Sequence, residues 1–359
     1  MAMNNTSILL NLPLLVSSSP SHWSIYYSLF CKLLHSEILL SSTEDCLTVS
    51  HVWSGVKLNM SSFLFSVILL VPAVFHTASG DVFYILPTTS SPCPVEFDGI
   101  PCLTFQQYAL NPSRSPNVTL IIESTTYTHS QRLTIANGYN FTMSSTNATI
   151  RCTSTSGYFS LSSFNNVHIS GIKFQGCHNA IGLTRVSRGF ITNCNFVENR
   201  ARSSRYTAGP CIFLEQSSSV IVNNSEFRSN QASYHGGAIF AQSGSRVTVH
   251  NSIFSDNIVV HEQGGAIFGR GNSDVIVHNC TFIRNRARQG GGAVRTDRLF
   301  GVTNSVFINN QVAAGNGGAV SISGRVIQPV VGCQFINNIA SGSGGAIFKT
   351  RSSELLTID

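Results

Sequence analysis

Downstream of residue 117 the apolar positions fall in short, β-branched clusters, each broken off by Asn, His, Ser or Gly. Val118-Thr119-Leu120-Ile121-Ile122, Leu133-Thr134-Ile135, Ala148-Thr149-Ile150, Val220-Ile221-Val222, Val247-Thr248-Val249 and Val275-Ile276-Val277 are of this kind. Short runs bounded by turn formers predict strands, and no ten-residue window carries apolar residues at i, i+3, i+4 and i+7. Within one unit the pattern is strand and turn with no helix, and the chain reads as all-β.

The clusters recur in phase. Gly-Gly-Ala starts at Gly236, Gly264, Gly291, Gly317 and Gly344, at intervals of 28, 27, 26 and 27 residues, and Ile or Val follows each copy. A degenerate copy, Gly209-Pro210-Cys211-Ile212, lies 27 residues before Gly236. Between the copies runs Phe-x-x-Asn, at Phe196/Asn199, Phe227/Asn230, Phe254/Asn257, Phe282/Asn285, Phe307/Asn310 and Phe335/Asn338. A unit of this length buries its apolar face only against its neighbours, so the array must stack. At about 3.3 Å per strand residue, one period closes a coil of three short strands and three bends, and successive coils lie about 4.8 Å apart. The expected object is a parallel β-helix of roughly seven to nine coils of about 27 residues, the upstream ones carrying worn markers such as Phe174 and Cys177.

The residue types suit that geometry. Phe at a fixed phase stacks on the Phe of the coils above and below. Asn three residues later is expected to take a left-handed bend and to form an amide ladder, and Asn193, Asn224, Asn251, Asn279 and Asn304 serve the preceding bend. The glycine pairs, completed by Gly237, Gly265, Gly292, Gly318 and Gly345, supply positive φ or close backbone approach.

Gly-Gly-Ala-[Ile/Val] in register with Phe-x-x-Asn resembles the repeat of the chlamydial polymorphic outer-membrane proteins, closely over residues 193–348 and loosely over 118–192. The resemblance implies a right-handed parallel β-helix of the pectin-lyase-like superfamily, a secreted or surface-exposed setting and, for some members, adhesion. No outer-membrane barrel follows the repeats, so an autotransporter is not expected.

The ends differ from the repeat. Residues 1–59 lack its phase and read as an unstructured upstream extension. Residues 60–80 read as a secretory signal, with an apolar run from Phe63 to Val74 and small residues at Ala78-Ser79-Gly80. Residues 81–117 read as a cap segment and 118–359 as the β-helix, cut off part-way round a coil, so that any membrane attachment would lie in a further C-terminal region. Of ten Cys, eight follow residue 80, as suits secretion. Cys93 and Cys102 flank a loop suited to a bridge, and Cys152 and Cys177, one period apart, are candidates for a second. Cys194, Cys280 and Cys333 sit two residues before a phase-marking Phe, never in adjacent coils, and read as small buried fillers. Candidate glycosylation sequons are Asn117, Asn140, Asn147 and Asn223, while Asn279 sits at a ladder phase.

Charged residues make up 11% of the chain, with a net charge of +6. Arg200, Arg202 and Arg205 follow one Asn phase and Arg284, Arg286 and Arg288 surround another, which places two candidate anion-binding clusters on one side, three coils apart. A sulfated or carboxylated glycan or a surface protein is the expected partner. Nucleic acid is not, because no aromatic platform accompanies the arginines. Glycoside hydrolysis needs two facing carboxylates, and lyases of the implied fold need clustered Asp with an Arg base. After residue 80 the six Asp are scattered, although Asp256 has Glu226 or Arg284 as cross-coil partners. His250 and His278 share a phase and are expected to stack outside. No catalytic set, cofactor motif or metal-ligand spacing emerges. The expectation is a non-enzymatic secreted or surface protein with a structural or adhesive role, with a polysaccharide lyase or hydrolase as the alternative.

Overall fold

The computed structural model describes residues 80–87, 100–110, 115–130, 132–153, 158–201, 209–326 and 330–350, all within the compact unit Ala78–Asp359. The expected extension (1–59), nearly all of the signal segment, Cys93, Arg202 and Arg205 lie outside the described residues.

One coil shows the plan. Gly236-Gly237-Ala238 leads into a first strand, Ile239–Ala241. A bend leads to a second, Arg246–His250, and a tighter one to a third, Ile253–Ser255, which carries Phe254. After Asn257 comes a two-residue fourth strand, Ile258–Val259. Each pairs in parallel with its counterpart one coil on, as in Phe254↔Phe282 and Val247↔Val275. The coil therefore carries three principal strands, with the short one after Asn added in a separate six-stranded sheet.

The stacking begins before residue 118. Strand Asp81–Leu86 already pairs in parallel with Asn117–Ile122, so the segment expected as a cap supplies the first rung of the second column. The strands Arg132–Cys152 and Tyr158–Gln175 run through their bends, and the register slips between Ser144 and Ala148.

A short helix, Phe105–Leu110, lies in the segment before the repeats and leaves the chain all-β. Thr104 Oγ1 accepts from Gln107 N at 3.2 Å and Gln107 Oε1 accepts from Thr104 N at 2.8 Å, a reciprocal cap that stabilises one turn too short to show a period. Its Phe105 lies edge-on to Tyr127 and Phe159, and its Tyr108 to Phe83, so it covers the start of the core. Among the described residues no helix is long and apolar enough to cross a membrane.

The interior is a set of columns. Phe174, Phe196, Phe227, Phe254, Phe282, Phe307 and Phe335 form one continuous stack, with ring centroids 4.5–5.2 Å apart and planes within 9° of parallel. Beside it runs the ladder of Asn199, Asn230, Asn257, Asn285, Asn310 and Asn338, each Oδ1 accepting from the Nδ2 of the coil before. At its lower end Asn199 Oδ1 accepts from Cys177 N at 2.8 Å. Cys177 is in turn bridged to Cys152.

The left-handed residue of this bend is not the ladder Asn itself, as expected, but the one before it: Glu198, Ser229, Asp256, Arg284, Asn309 and Asn337 all have positive φ. With that neighbour turning the chain, the Asn side chain points inward, where it meets the next Asn. At the preceding bend the expectation holds, and Asn193, Asn224, Asn251, Asn279 and Asn304 are left-handed. The two glycines of each pair have separate duties. Gly264 has a φ of 74°, whereas a Cβ on Gly265 would collide with the carbonyl oxygen of Gly292 one coil on.

Candidate functional site

The bend between the first and second columns changes in length from coil to coil. It spans four residues at 242–245 and 270–273, but only two at 297–298, between Thr296 and Leu299. A cleft of about 460 Å³ lies against these bends in three successive coils. Its walls are Ser217, Gln242, Ser243, Arg270 and Asn272 with two glycines.

Two devices hold these bends. Inside, Ser218, Ser245 and Ser273 are fully buried; Ser218 and Ser245 close their own bends by donating to Glu215 O and Gln242 O at 2.7 Å, and Ser273 Oγ accepts from Ser245 N at 3.2 Å. Outside, Asp274 is 2% exposed and lies between arginines of the coils on either side. Its Oδ2 takes Arg246 Nε and Nη2 at 3.1 and 2.9 Å. Its Oδ1 is 3.2 Å from Arg298 Nη1, a charge contact without hydrogen-bond alignment. Arg298 Nη1 also donates to Asn272 O at 3.2 Å, and Asp297 Oδ2 accepts from Gly271 N at 3.2 Å, which ties the short bend to the rim of the cleft. Asp297 is held at 2.9 Å by Arg295, whose guanidinium is shifted below its ordinary range by burial, with Asp297 opposing the shift.

Sequence reasoning missed this cleft. No motif marks the bend positions that line it, so motif spacing gives no signal for it.

Four of the arginines that the sequence singled out, Arg200, Arg284, Arg286 and Arg288, are among the described residues. Arg200 and Arg286 share the outward position of the fourth column, with Gln231 and Ile258 between them. Three rungs place them about 14 Å apart. Arg284 is committed to Asp256 through two bonds of 2.7 and 2.8 Å, which hold its guanidinium above the ordinary range. Glu226 lies 3.9 Å from Arg228 instead. Arg286 and Arg288 are exposed.

His250 and His278 stack at 5.1 Å on the outer face, and His278 Nδ1 is 2.6 Å from Thr303 Oγ1. Burial, and secondly the charge of His278, lower the pKa of His250. Among the described residues no three His, Cys, Asp or Glu side chains gather as a metal site.

Among the sequons, Asn140 is locked in an outer ladder, donating to Asn117 at 2.9 Å and accepting from Asn166 at 2.8 Å. Asn223 accepts from Asn251 at 2.9 Å, while Asn147 is exposed where the register slips. Cys102 is disulfide-bonded, and Cys194, Cys211, Cys280 and Cys333 are free thiols. Burial pushes Cys194 up to about 12 and Cys280 to about 11, so neither is a nucleophile at neutral pH.

Comparison with curated proteins and with solved structures gives no match. The model of the family described as a right handed beta helix region matches residues 113–259 and, overlapping, 205–357. Together these take in more than half of the chain and coincide with the stacked coils, so the chain belongs to the right-handed β-helix family.

Proposed function

We propose that this protein is a non-enzymatic β-helix, secreted or held at a cell surface, which serves a structural or adhesive role and engages anionic glycans or surface proteins. The observation that carries this reading is the pairing of its carboxylates: Asp256 and Asp274 are bound to arginines of neighbouring coils and Asp297 to Arg295 of its own coil, which spends them on structure. Positive charge is left over on the outside, at Arg286 and Arg288 among others. The likeness of the repeat to that of the chlamydial polymorphic outer-membrane proteins supports an exposed, adhesive setting, as does the Cys152–Cys177 bridge.

A second reading, a polysaccharide lyase or hydrolase, is favoured by one feature, the buried Asp274 with two arginines beside a cleft. The two readings separate in a turnover assay on uronate and neutral polysaccharides, following unsaturated product and new reducing ends. No turnover is expected. Turnover that Asp274→Asn abolishes would establish the enzyme instead.

A further inference from the structure

We propose that the outer face of the second column, around Phe190, is where this protein holds an acidic sugar of a glycan chain, with the sugar ring on Phe190 and its sulfate or carboxylate on Arg188. This rests on the glycan-binding reading above and gives it a place apart from the arginine clusters evident in the sequence. Three observations converge on it.

The first is a ring that the core does not use. Residues 166–170, 188–192 and 219–223 stack rung on rung in this column, with alternate side chains facing the core and the solvent. Phe190 takes an outward position that other coils give to Thr142 and Thr248, and it stays half-buried. One rung to either side of it are His168, edge-on at 6.3 Å, and Ile221, which is 38% exposed. The three make an outer ridge about 10 Å long. A pyranose presents C–H groups on its faces, and such a ridge holds it by dispersion and contact with the ring.

The second is charge. Arg188 stands two residues before Phe190 on the same face, is exposed, and has neither an ion pair nor a hydrogen bond from its side chain among the described residues. From the coil of Asn117 to that of Asn223, no outward position of this column holds Asp or Glu. Arg185, in the bend before Arg188, donates to Ser163 Oγ at 3.1 Å and to Gln216 Oε1 at 2.6 Å, neutral partners that fix the side chain and leave its charge. Glu215, beside that bend, accepts from Thr184 at 3.1 Å and forms no ion pair. The ridge therefore carries an excess of positive charge along one edge, and a guanidinium fork suits a sulfate or carboxylate. The third observation is the other edge. Ser170 and Thr192, one rung apart, point their hydroxyls outward with no other partner among the described residues, ready for sugar hydroxyls. All these groups sit on paired strands, so the face is ordered before a ligand arrives, which lowers the entropic cost of binding.

The test uses the full chain and two probes in calorimetric titrations: a heparin-derived tetrasaccharide, rich in sulfate, and trigalacturonate, which has carboxylates alone. Arg188→Gln removes the charge and is expected to weaken binding by about tenfold or more, the value of one charge-assisted contact. Phe190→Thr installs the side chain that other coils carry at this position and is expected to weaken binding by about threefold or more, whereas Phe190→Tyr, which keeps a ring, retains it. Arg286→Gln/Arg288→Gln, in and just after the fourth column, is expected to change it by less than about twofold. The better probe identifies the anion. If Arg188→Gln or Phe190→Thr leaves binding unchanged, or if Phe190→Tyr loses as much as Phe190→Thr, the site is wrong while the glycan-binding reading stands. If the unaltered protein binds neither probe, that reading fails and the site with it.

Discussion

Asn257 donates from its backbone N–H and from its side-chain Nδ2 to one atom, Oδ1 of Asn285, at 3.1 and 2.9 Å. The second Nδ2 hydrogen goes to Phe227 O in the coil before, at 3.0 Å. One amide therefore ties three successive coils, and because Asn257 is fully buried no water substitutes for it. Replacing it with Ala strands the N–H and one Nδ2 hydrogen of Asn230, which end on Asn257 Oδ1, together with Phe227 O. Each orphaned group costs about 1–3 kcal/mol. Asn257→Ala is expected to lower stability by on the order of 3 kcal/mol or more in denaturant unfolding. A loss under about 1 kcal/mol would mean that the ladder is ornament on a fold carried by the Phe stack.

The glycines separate two kinds of constraint. At Gly271, φ is 63° and a Cβ would meet nothing within 4 Å, so Gly271→Ala incurs backbone strain alone. That strain is about 1–2 kcal/mol. At Gly265 the added carbon runs into the backbone of Gly292 and Arg286, which cannot yield as a side chain would. Gly265→Ala is expected to exceed Gly271→Ala by about 1–3 kcal/mol or to prevent folding. Melting temperatures of the two variants decide it, and equal values would show that the coils part easily.

This contrast also marks how much could be read from the chain alone. Phe254 and Asn257 were legible because stacking repeats one side chain at one phase, and a period amplifies what a single residue would whisper. Gly265 was legible as a member of a pair, yet its own duty depends on which carbonyl lies above it. The left-handed residue of the Asn bend was misplaced because Ser229, Asp256 and Arg284 share no chemistry, so no motif marks that position. Helix Phe105–Leu110 stayed hidden because six residues show no period. The cleft stayed hidden because the bend residues that line it, Ser217, Gln242-Ser243-Gly244 and Arg270-Gly271-Asn272, share no repeated chemistry, and a repeat is found by ignoring such differences.

The Cys152–Cys177 bridge joins adjacent coils across 25 residues, below the end of the Asn ladder. Closing a loop of that length in the unfolded chain is worth about 3 kcal/mol. The double change Cys152→Ala/Cys177→Ala is expected to lower the melting temperature by about 3–6 °C or more for a chain of this size. The buried free thiols Cys194, Cys211 and Cys280 should stay unlabelled by iodoacetamide in the native protein, whereas Cys333, which is only partly buried, reacts first among these four. A bridge whose loss leaves the melting temperature unchanged would place the start of the solenoid outside the cooperative unit.

His250 gives the fold a dependence on pH whose sign follows from its surroundings. Its pKa is lowered in the folded state, first by burial and then by the stacked His278, so folding favours the neutral ring. In the unfolded chain a histidine titrates at about 6.5. A group whose folded pKa lies below its unfolded value contributes stability that is fully present above about pH 6.5 and is lost as the pH falls through the folded value. The melting temperature is therefore expected to fall between neutral pH and pH 5. His250→Gln should flatten that fall, and His278→Gln should flatten it in part, because it removes the second cause and leaves the burial. If His278→Gln instead steepens the acid loss, the two rings attract rather than oppose each other's protonation, and the outer stack is a proton-sharing pair.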